Sequence, residues 1–370
     1  MTHLKRIMRD VMSWIKIVNV IFLLTLVLLL ALELALRIAF YVRDYLAQDA
    51  AIHIQQSMPN YTDDVIGFKN ETKNFRGYPY KAFLGWVSPD IKGEYLNVEN
   101  GRRVTELSSA IERNETMHFF GGSTMWGYSV LDKNTIPSLV SKQLKITTIN
   151  YGEQAYNSRQ ELNLLIDNLD VLNTNDVVIF YDGVNDVYHN CRSYNSPNGH
   201  AREFFFKDLL ADDKYREGIN DWLDNLSLYR LVKGLAARIS LNEDAARRGY
   251  HNSCVSPEYA ERVANFVVGN WKVADAVLSA KGVTFLCALQ PNPYTFNGTI
   301  NYSMEEMKIQ IGSVYPLIKE KARNLSCFVD YSDRLLVDNF TDSCCHVNER
   351  GNREISSMLS STILTLINRD

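Results

Sequence analysis

The chain has 370 residues, 46% of them hydrophobic and 22% charged, the balance of a folded globular protein rather than of a disordered or low-complexity segment. A formal net charge of −4 argues against a polybasic nucleic-acid binder. Six cysteines with no CxxC pair argue against a disulfide-dense scaffold and against a zinc or thioredoxin-type site.

Residues 1–16 form a short basic N-terminus carrying Lys5, Arg6, Arg9 and Lys16. Residues 17–40 follow as IVNVIFLLTLVLLLALELALRIAF, in which 20 of 24 positions are hydrophobic. A hydrocarbon core takes roughly 20 apolar helical residues, so this segment is expected to be a single transmembrane signal-anchor helix. A cleaved signal peptide fits less well, because its apolar region runs only ~7–15 residues and ends at a small-x-small site. Glu33 and Arg37 lie at i,i+4 spacing and are expected to pair on one helical face. Only Arg37 and Arg43 closely follow the apolar run. The positive-inside rule therefore places the N-terminus in the cytoplasm and exports the remainder, to the periplasm or the cell exterior.

Residues 41–113 show no sustained period and read as a stalk and an irregular flap, with Tyr78, Tyr80 and Trp86 as aromatic candidates for a pocket wall. From Thr116 strands and helices alternate. The expected strands are Thr116–Phe120, Ile146–Tyr151, Asp176–Tyr181, Val283–Leu289 and Cys327–Tyr331. The expected helices are Thr135–Leu144, Ser158–Leu172, Glu258–Leu278, Met304–Arg323 and Glu349–Ile367. Ser158 is read as the N-cap of its helix, with Glu161 completing a capping box. A helical insertion at about 188–257 interrupts the alternation, is bracketed by Cys191 and Cys254, and carries Tyr194, Phe204, Phe205 and Phe206 as further wall candidates. The fold class is α/β: a three-layer α/β/α sandwich on a mostly parallel five-stranded sheet, occupying residues 114–370. Cys287 is expected to be a buried free thiol.

Parallel sheets place their chemistry beyond the C-terminal strand ends. Four segments fall there. The first, His118 to Gly127 (HFFGGSTMWG), offers Ser123 on a glycine-flanked turn as a nucleophile. The second, Asn150 to Glu161, leaves a strand for a capped helix and offers backbone N–H groups to an anion. The third, Tyr181 to Asp186 (YDGVND), offers the Asn185 amide to an oxyanion. The fourth, Thr341 to Asn352, carries His346 as a general base with Asp342 near enough in sequence to orient it.

Taken together these segments resemble the SGNH (GDSL-type) hydrolases: a Ser block, a Gly block, a Gly-x-Asn-Asp block and a C-terminal Asp-x-x-His block. The resemblance runs from Thr116 to Ile367, the insertion apart. It implies a flavodoxin-like fold, with Ser123 as nucleophile and His346 as base. It further implies an oxyanion hole built from the Ser123 N–H, a second-block N–H and the Asn185 side chain. Ester hydrolysis or acyl transfer with no cofactor and no metal is the implied activity. The chain departs from the pattern twice. Ala155 stands where the family has glycine, so either Ala155 or Gly152 is the second-block donor. Ser343 stands three residues before the histidine, so either a one-residue bulge re-aims Asp342 or the site is a Ser-His dyad; the bulge is the preferred reading.

The expected substrate is an acylated small molecule or a glycan ester at the cell envelope. A catalytically silent glycan- or partner-binding protein of the same fold is the alternative. No nucleic-acid partner is expected. The chain beyond residue 45 carries a formal −7, more acidic than the whole.

Overall fold

The computed structural model describes residues 2–56, 62–72, 77–192, 200, 223, 225–235, 253–295 and 304–367. Two compact units are distinguished, residues 1–54 with 208–249, and residues 55–207 with 250–370.

In the first unit, α1 runs unbroken over Thr2–Gln56. Its stretch Val11–Leu46 is long and apolar enough to cross a membrane, and none of it is buried within the protein. The expected anchor thus lies inside a longer helix, and the start of the expected stalk is helical. Glu33 and Arg37 pair as the spacing predicts, Oε1 to Nε at 2.9 Å. The Glu33 carboxylate also accepts from the N–H groups of Ser227 (2.7 Å) and Leu228 (2.9 Å), while Arg37 donates to the Asn225 carbonyl at 3.1 Å. An acidic side chain there satisfies donors that open helix α7, residues 227–235, as a capping carboxylate does. Of the expected helical insertion, this helix is described to residue 235.

In the second unit, the flap is more regular than its sequence implied. Helix α2 (Asp63–Thr72) is followed by a three-stranded antiparallel sheet of β1 (Ile91–Lys92), β2 (Asn97–Glu99) and β3 (Arg102–Arg103). Strands of two or three residues are too short to leave an alternating signature. Tertiary contacts hold them instead. The buried Arg103 guanidinium bonds Asp132 Oδ1 at 2.5 Å, the Val130 carbonyl at 2.8 Å and the Gly127 carbonyl at 3.1 Å. It also lies 4.9 Å from the Trp126 ring. The flap is thereby fixed to the segment just after Ser123.

The main sheet consists of β4 (Thr116–Gly121), β5 (Thr147–Asn150), β6 (Val177–Asp182), β7 (Thr284–Leu289) and β8 (Phe328–Asp330). Its order is β5-β4-β6-β7-β8 and every pairing is parallel, the flavodoxin-like order. Strand β6 is buried at all six positions, as a strand covered on both faces must be. Between and after the strands come α3 (Ser123–Trp126), α4 (Ile136–Leu144), α5 (Ser158–Asp167), α6 (Val184–Asn190), α8 (Pro257–Ala280), α9 (Glu305–Ala322) and α10 (Glu349–Ile367). Leu162, Val263, Trp271 and Ile311 belong to the core on one face, and Ile136, Val140, Ile355 and Leu359 to the core on the other.

One cap differs from expectation. Asn157, not Ser158, caps α5, accepting from Gln160 N while the Gln160 side chain returns to Asn157 N. Ser158 instead donates its hydroxyl to Asp186, and the helix stops at Asp167 rather than Leu172. Cys191 and Cys254 form a disulfide across a separation of 63 residues, closing the base of the insertion.

Candidate active site

The sheet order reverses between β4 and β6, and the segments that follow these two strands carry Ser123 and Asn185. Ser123 opens the short helix α3 directly after β4. Its Oγ lies 2.7 Å from His346 Nε2, and His346 Nδ1 is hydrogen-bonded to Asp342 Oδ2. The loop before α10 makes this contact by wrapping around the other carboxylate oxygen. Asp342 Oδ1 accepts from the N–H groups of Cys344 (2.9 Å), Cys345 (3.0 Å) and His346 (3.2 Å). That turn takes up the extra residue, so Asp342 meets the imidazole from the i−4 position. Thr124 Oγ1 binds the Cys345 carbonyl at 3.2 Å, and the Tyr128 ring lies 4.3 Å from the imidazole.

Electrostatics follow from these contacts. Burial pushes the Asp342 carboxyl up, but the imidazole and the loop N–H groups outweigh it and bring it down to about 2. Burial works against a charged His346, yet the Asp342 carboxylate and the Cys345 sulfur raise it to about 9. The site therefore favours imidazolium, the species formed when a base takes the serine proton.

Three candidate oxyanion donors come from the segments that follow β4, β5 and β6. The Ser123 N–H starts a helix and has no partner in the preceding turn. Asn185 Nδ2 gives one hydrogen to the Tyr156 carbonyl at 2.8 Å, leaving its second available. A Cβ on Gly122 would lie only 2.2 Å from this nitrogen, so glycine is what lets the amide approach. Gly183, at φ +131, turns the chain from β6 into α6 and so delivers Asn185. Of the two second-block options, Gly152 gives its N–H to Asn150 Oδ1 at 2.9 Å. The Ala155 N–H has no partner among the described residues. Ala155 adopts φ +63, the left-handed conformation that glycine takes more readily. The His200 ring bonds the Ala155 carbonyl at 3.0 Å.

Sequence reading missed the supports of this loop. Glu153 is buried and accepts from Ser88 N (2.6 Å) and Ser88 Oγ (2.7 Å). Burial lifts its carboxyl to about 7 against the pull of those donors. Trp86 Nε1 binds the Gln154 carbonyl at 3.0 Å, and the Trp86 and Tyr156 rings meet edge to face at 5.5 Å. Trp86 thus supports the loop from behind, while Tyr80 is exposed. Tyr194, Phe204, Phe205 and Phe206 lie outside the described residues. A cavity of about 410 Å³ between the flap and β5 is lined by Lys81, Leu84, Arg102, Tyr151 and Tyr156. Neither Ser123 nor His346 is among its walls.

Beneath the second and third blocks lie three buried carboxyls, Glu161, Asp182 and Asp186. Trp271 Nε1 donates to Asp182 at 2.6 Å, and Ser158 N and Oγ donate to Asp186 at 3.0 and 2.6 Å. Burial pushes all three up, Asp182 to about 6 and Asp186 to about 8, and the neighbouring carboxyls add to the rise at Glu161 and Asp186. A raised carboxyl contributes stability that is complete below its ordinary value and is lost as pH rises through its folded one. The Tm is therefore expected to fall as pH climbs from about 4 to about 8. Glu161→Gln should flatten that slope, which thermal melts across this range measure.

No family model matches the chain, and no curated protein matches it. Solved structures do. A carbohydrate acetylesterase from Sinorhizobium meliloti is 13% identical, with 68% of this chain and 100% of that one covered and a TM-score of 0.37. The aryl esterase of M. smegmatis is 12% identical over 68% and 100% of the two chains, at a TM-score of 0.39. A member of the lipolytic G-D-S-L family from Veillonella parvula is 15% identical over 66% and 95%, at 0.37. An SGNH hydrolase from Slackia heliotrinireducens is also among the similar structures, 10% identical over 68% and 100% of the two chains at a TM-score of 0.35.

Proposed function

We propose that this chain is a serine ester hydrolase or O-acyltransferase that works through an acyl-enzyme. Its substrate in this reading is an acetyl-like O-acyl group on a cell-envelope or surface glycan. The observation that carries the reading is Ser123 Oγ at 2.7 Å from His346 Nε2, with Asp342 on the other ring nitrogen. His346 takes the hydroxyl proton as Ser123 attacks the ester carbonyl. The oxyanion is received by the N–H groups of Ser123 and Ala155 and by the free Asn185 amide hydrogen. Collapse expels the alcohol, protonated by His346, and leaves the acyl group on Ser123. Water, or an acceptor hydroxyl, then releases it with the same base.

The glycan class is supported by the apolar helix, which would hold the enzyme at a membrane. The flanking charges support a cytoplasmic N-terminus and an exported catalytic domain. The test is labelling of the full chain in detergent with a fluorophosphonate probe. Wild type is expected to label once, at Ser123, and Ser123→Ala not at all. An unlabelled wild type, or a labelled variant, would overturn the nucleophile and favour the silent binding protein.

A further inference from the structure

Four cysteines lie outside the Cys191–Cys254 disulfide, and they fall into two pairs. Cys287 and Cys327 sit 2.9 Å apart, Sγ to Sγ, both buried in the sheet core. Cys344 and Cys345 also lie 2.9 Å apart, but in the loop that carries Asp342 and His346, with Cys344 half-buried and Cys345 buried. We propose that Cys344 and Cys345 are an oxidation site, a vicinal dithiol that closes to a disulfide ring by exchange with a small-molecule disulfide and thereby tunes the adjacent imidazole.

The geometry leaves little to rearrange. Sulfurs in a disulfide are bonded at about 2.05 Å, so closure from 2.9 Å needs less than about 1 Å of travel. The backbone is already pinned on both sides. Asp342 Oδ1 holds the N–H groups of Cys344, Cys345 and His346, Thr124 holds the Cys345 carbonyl, and Tyr294 donates to the Ser343 carbonyl. Closure is therefore a side-chain rotation on a fixed loop. Adjacent Cα atoms stand about 3.8 Å apart, below the usual disulfide span of about 4.4–6.8 Å, which makes such a ring easier to reduce than an ordinary structural disulfide. The site is thus suited to reversible oxidation.

The exposure of the two residues assigns their parts. Cys344, the less buried, attacks one donor sulfur as its S–H proton passes to the Cys345 sulfur, and the first donor thiolate leaves. Cys345 then attacks Cys344 Sγ, forms the Cys344–Cys345 bond and expels nothing further from the protein except the second donor thiolate. The one proton and the one negative charge of the pair leave with the two donor sulfurs, as a thiol and a thiolate; the pair loses two electrons and the donor disulfide gains them. Cys344 S–H donates to the Cys345 sulfur and holds it toward thiolate, helped by His346. The Cys345 sulfur in turn raises the imidazole. Ring closure removes that negative charge and leaves Asp342 alone to hold the proton on His346.

The consequence for turnover rests on the function proposed above; the ring itself does not. The experiment equilibrates the full chain in detergent with a glutathione disulfide series, quenches it in acid, alkylates it unfolded and maps the peptides by mass. The peptide holding both residues is expected unalkylated and lighter by the mass of two hydrogens. Alkylation of both thiols, a trapped glutathione, or a bond to another cysteine would overturn the site. Oxidation is expected to move the acid limb of the kcat/KM profile down by roughly half a pH unit. The Cys344→Ser/Cys345→Ser variant, which keeps Cys191–Cys254, should lose this response. A ring that forms without the shift, or a shift retained in the variant, would overturn the tuning. A ring that forms in a protein the fluorophosphonate does not label would sink the proposed function and leave the oxidation site standing.

Discussion

Asp342→Asn is expected to lower kcat by about 10⁴-fold, against about 10⁶-fold for Ser123→Ala or His346→Ala. Asparagine can still sit beside Nδ1, but it presents an amide where the imidazolium needs an anion. It also weakens the turn, because Asp342 Oδ1 collects the three N–H groups that shape the loop. A loss below about tenfold would instead favour a Ser-His dyad, in which Asp342 only shapes the backbone. The pH profile separates these cases. His346 lies at about 9 where a free imidazole lies at 6.5, so the neutral base accumulates only as pH rises and kcat/KM should climb toward pH 9. In Asp342→Asn the climb should start at lower pH. The sign for stability is opposite. The pair's contribution through His346 is complete below 6.5 and is lost as pH rises through about 9. Its contribution through Asp342 is present above 3.8 and is lost as pH falls through about 2. Initial rates on a p-nitrophenyl ester from pH 5 upward check the first part, and melts the second.

Asn185→Ala is expected to cost about 10²–10³ in kcat, or about 3–4 kcal/mol, with KM changed far less. The amide is held by one hydrogen to the Tyr156 carbonyl, so its remaining hydrogen is aimed before substrate arrives. Such a donor acts on the charge that develops in the transition state rather than on the ground-state ester. Gly122→Ala approaches the same point from the other side. Its added Cβ would stand 2.2 Å from Asn185 Nδ2 and must displace it. A similar kcat loss with KM preserved is expected, and full activity in Gly122→Ala would remove Asn185 from the reading. Steady-state kinetics of both variants decide this.

The sheet was legible because β6 and β7 are continuous apolar runs and the intervening helices carry their own period. Strand ends shifted by a residue, and α5 acquired a different cap, because Ser158 is drawn off to Asp186 by a carboxyl 28 positions away. The flap sheet was not legible, since β1 to β3 hold together through Arg103 and its partners rather than through any local pattern. At the site, residue types marked Ser123, Asn185 and His346, but spacing alone left Asp342 and the second-block donor open. Backbone bears on both: a turn closed on Asp342 Oδ1, and a left-handed Ala155 beside a Gly152 whose N–H is already taken. Sequence carries no direct trace of where an N–H points.

The buried carboxyls under the oxyanion loop set a lower ceiling on pH than the catalytic pair does. Raising the pH frees the His346 base, while the same rise strips protons from Asp182 and Asp186, whose partner Ser158 begins the helix behind that loop. Chemistry and scaffold are thus titrated in opposite directions across overlapping ranges. The working window of this fold is the interval in which enough base is free and the carboxyls beneath it have not yet begun to repel one another.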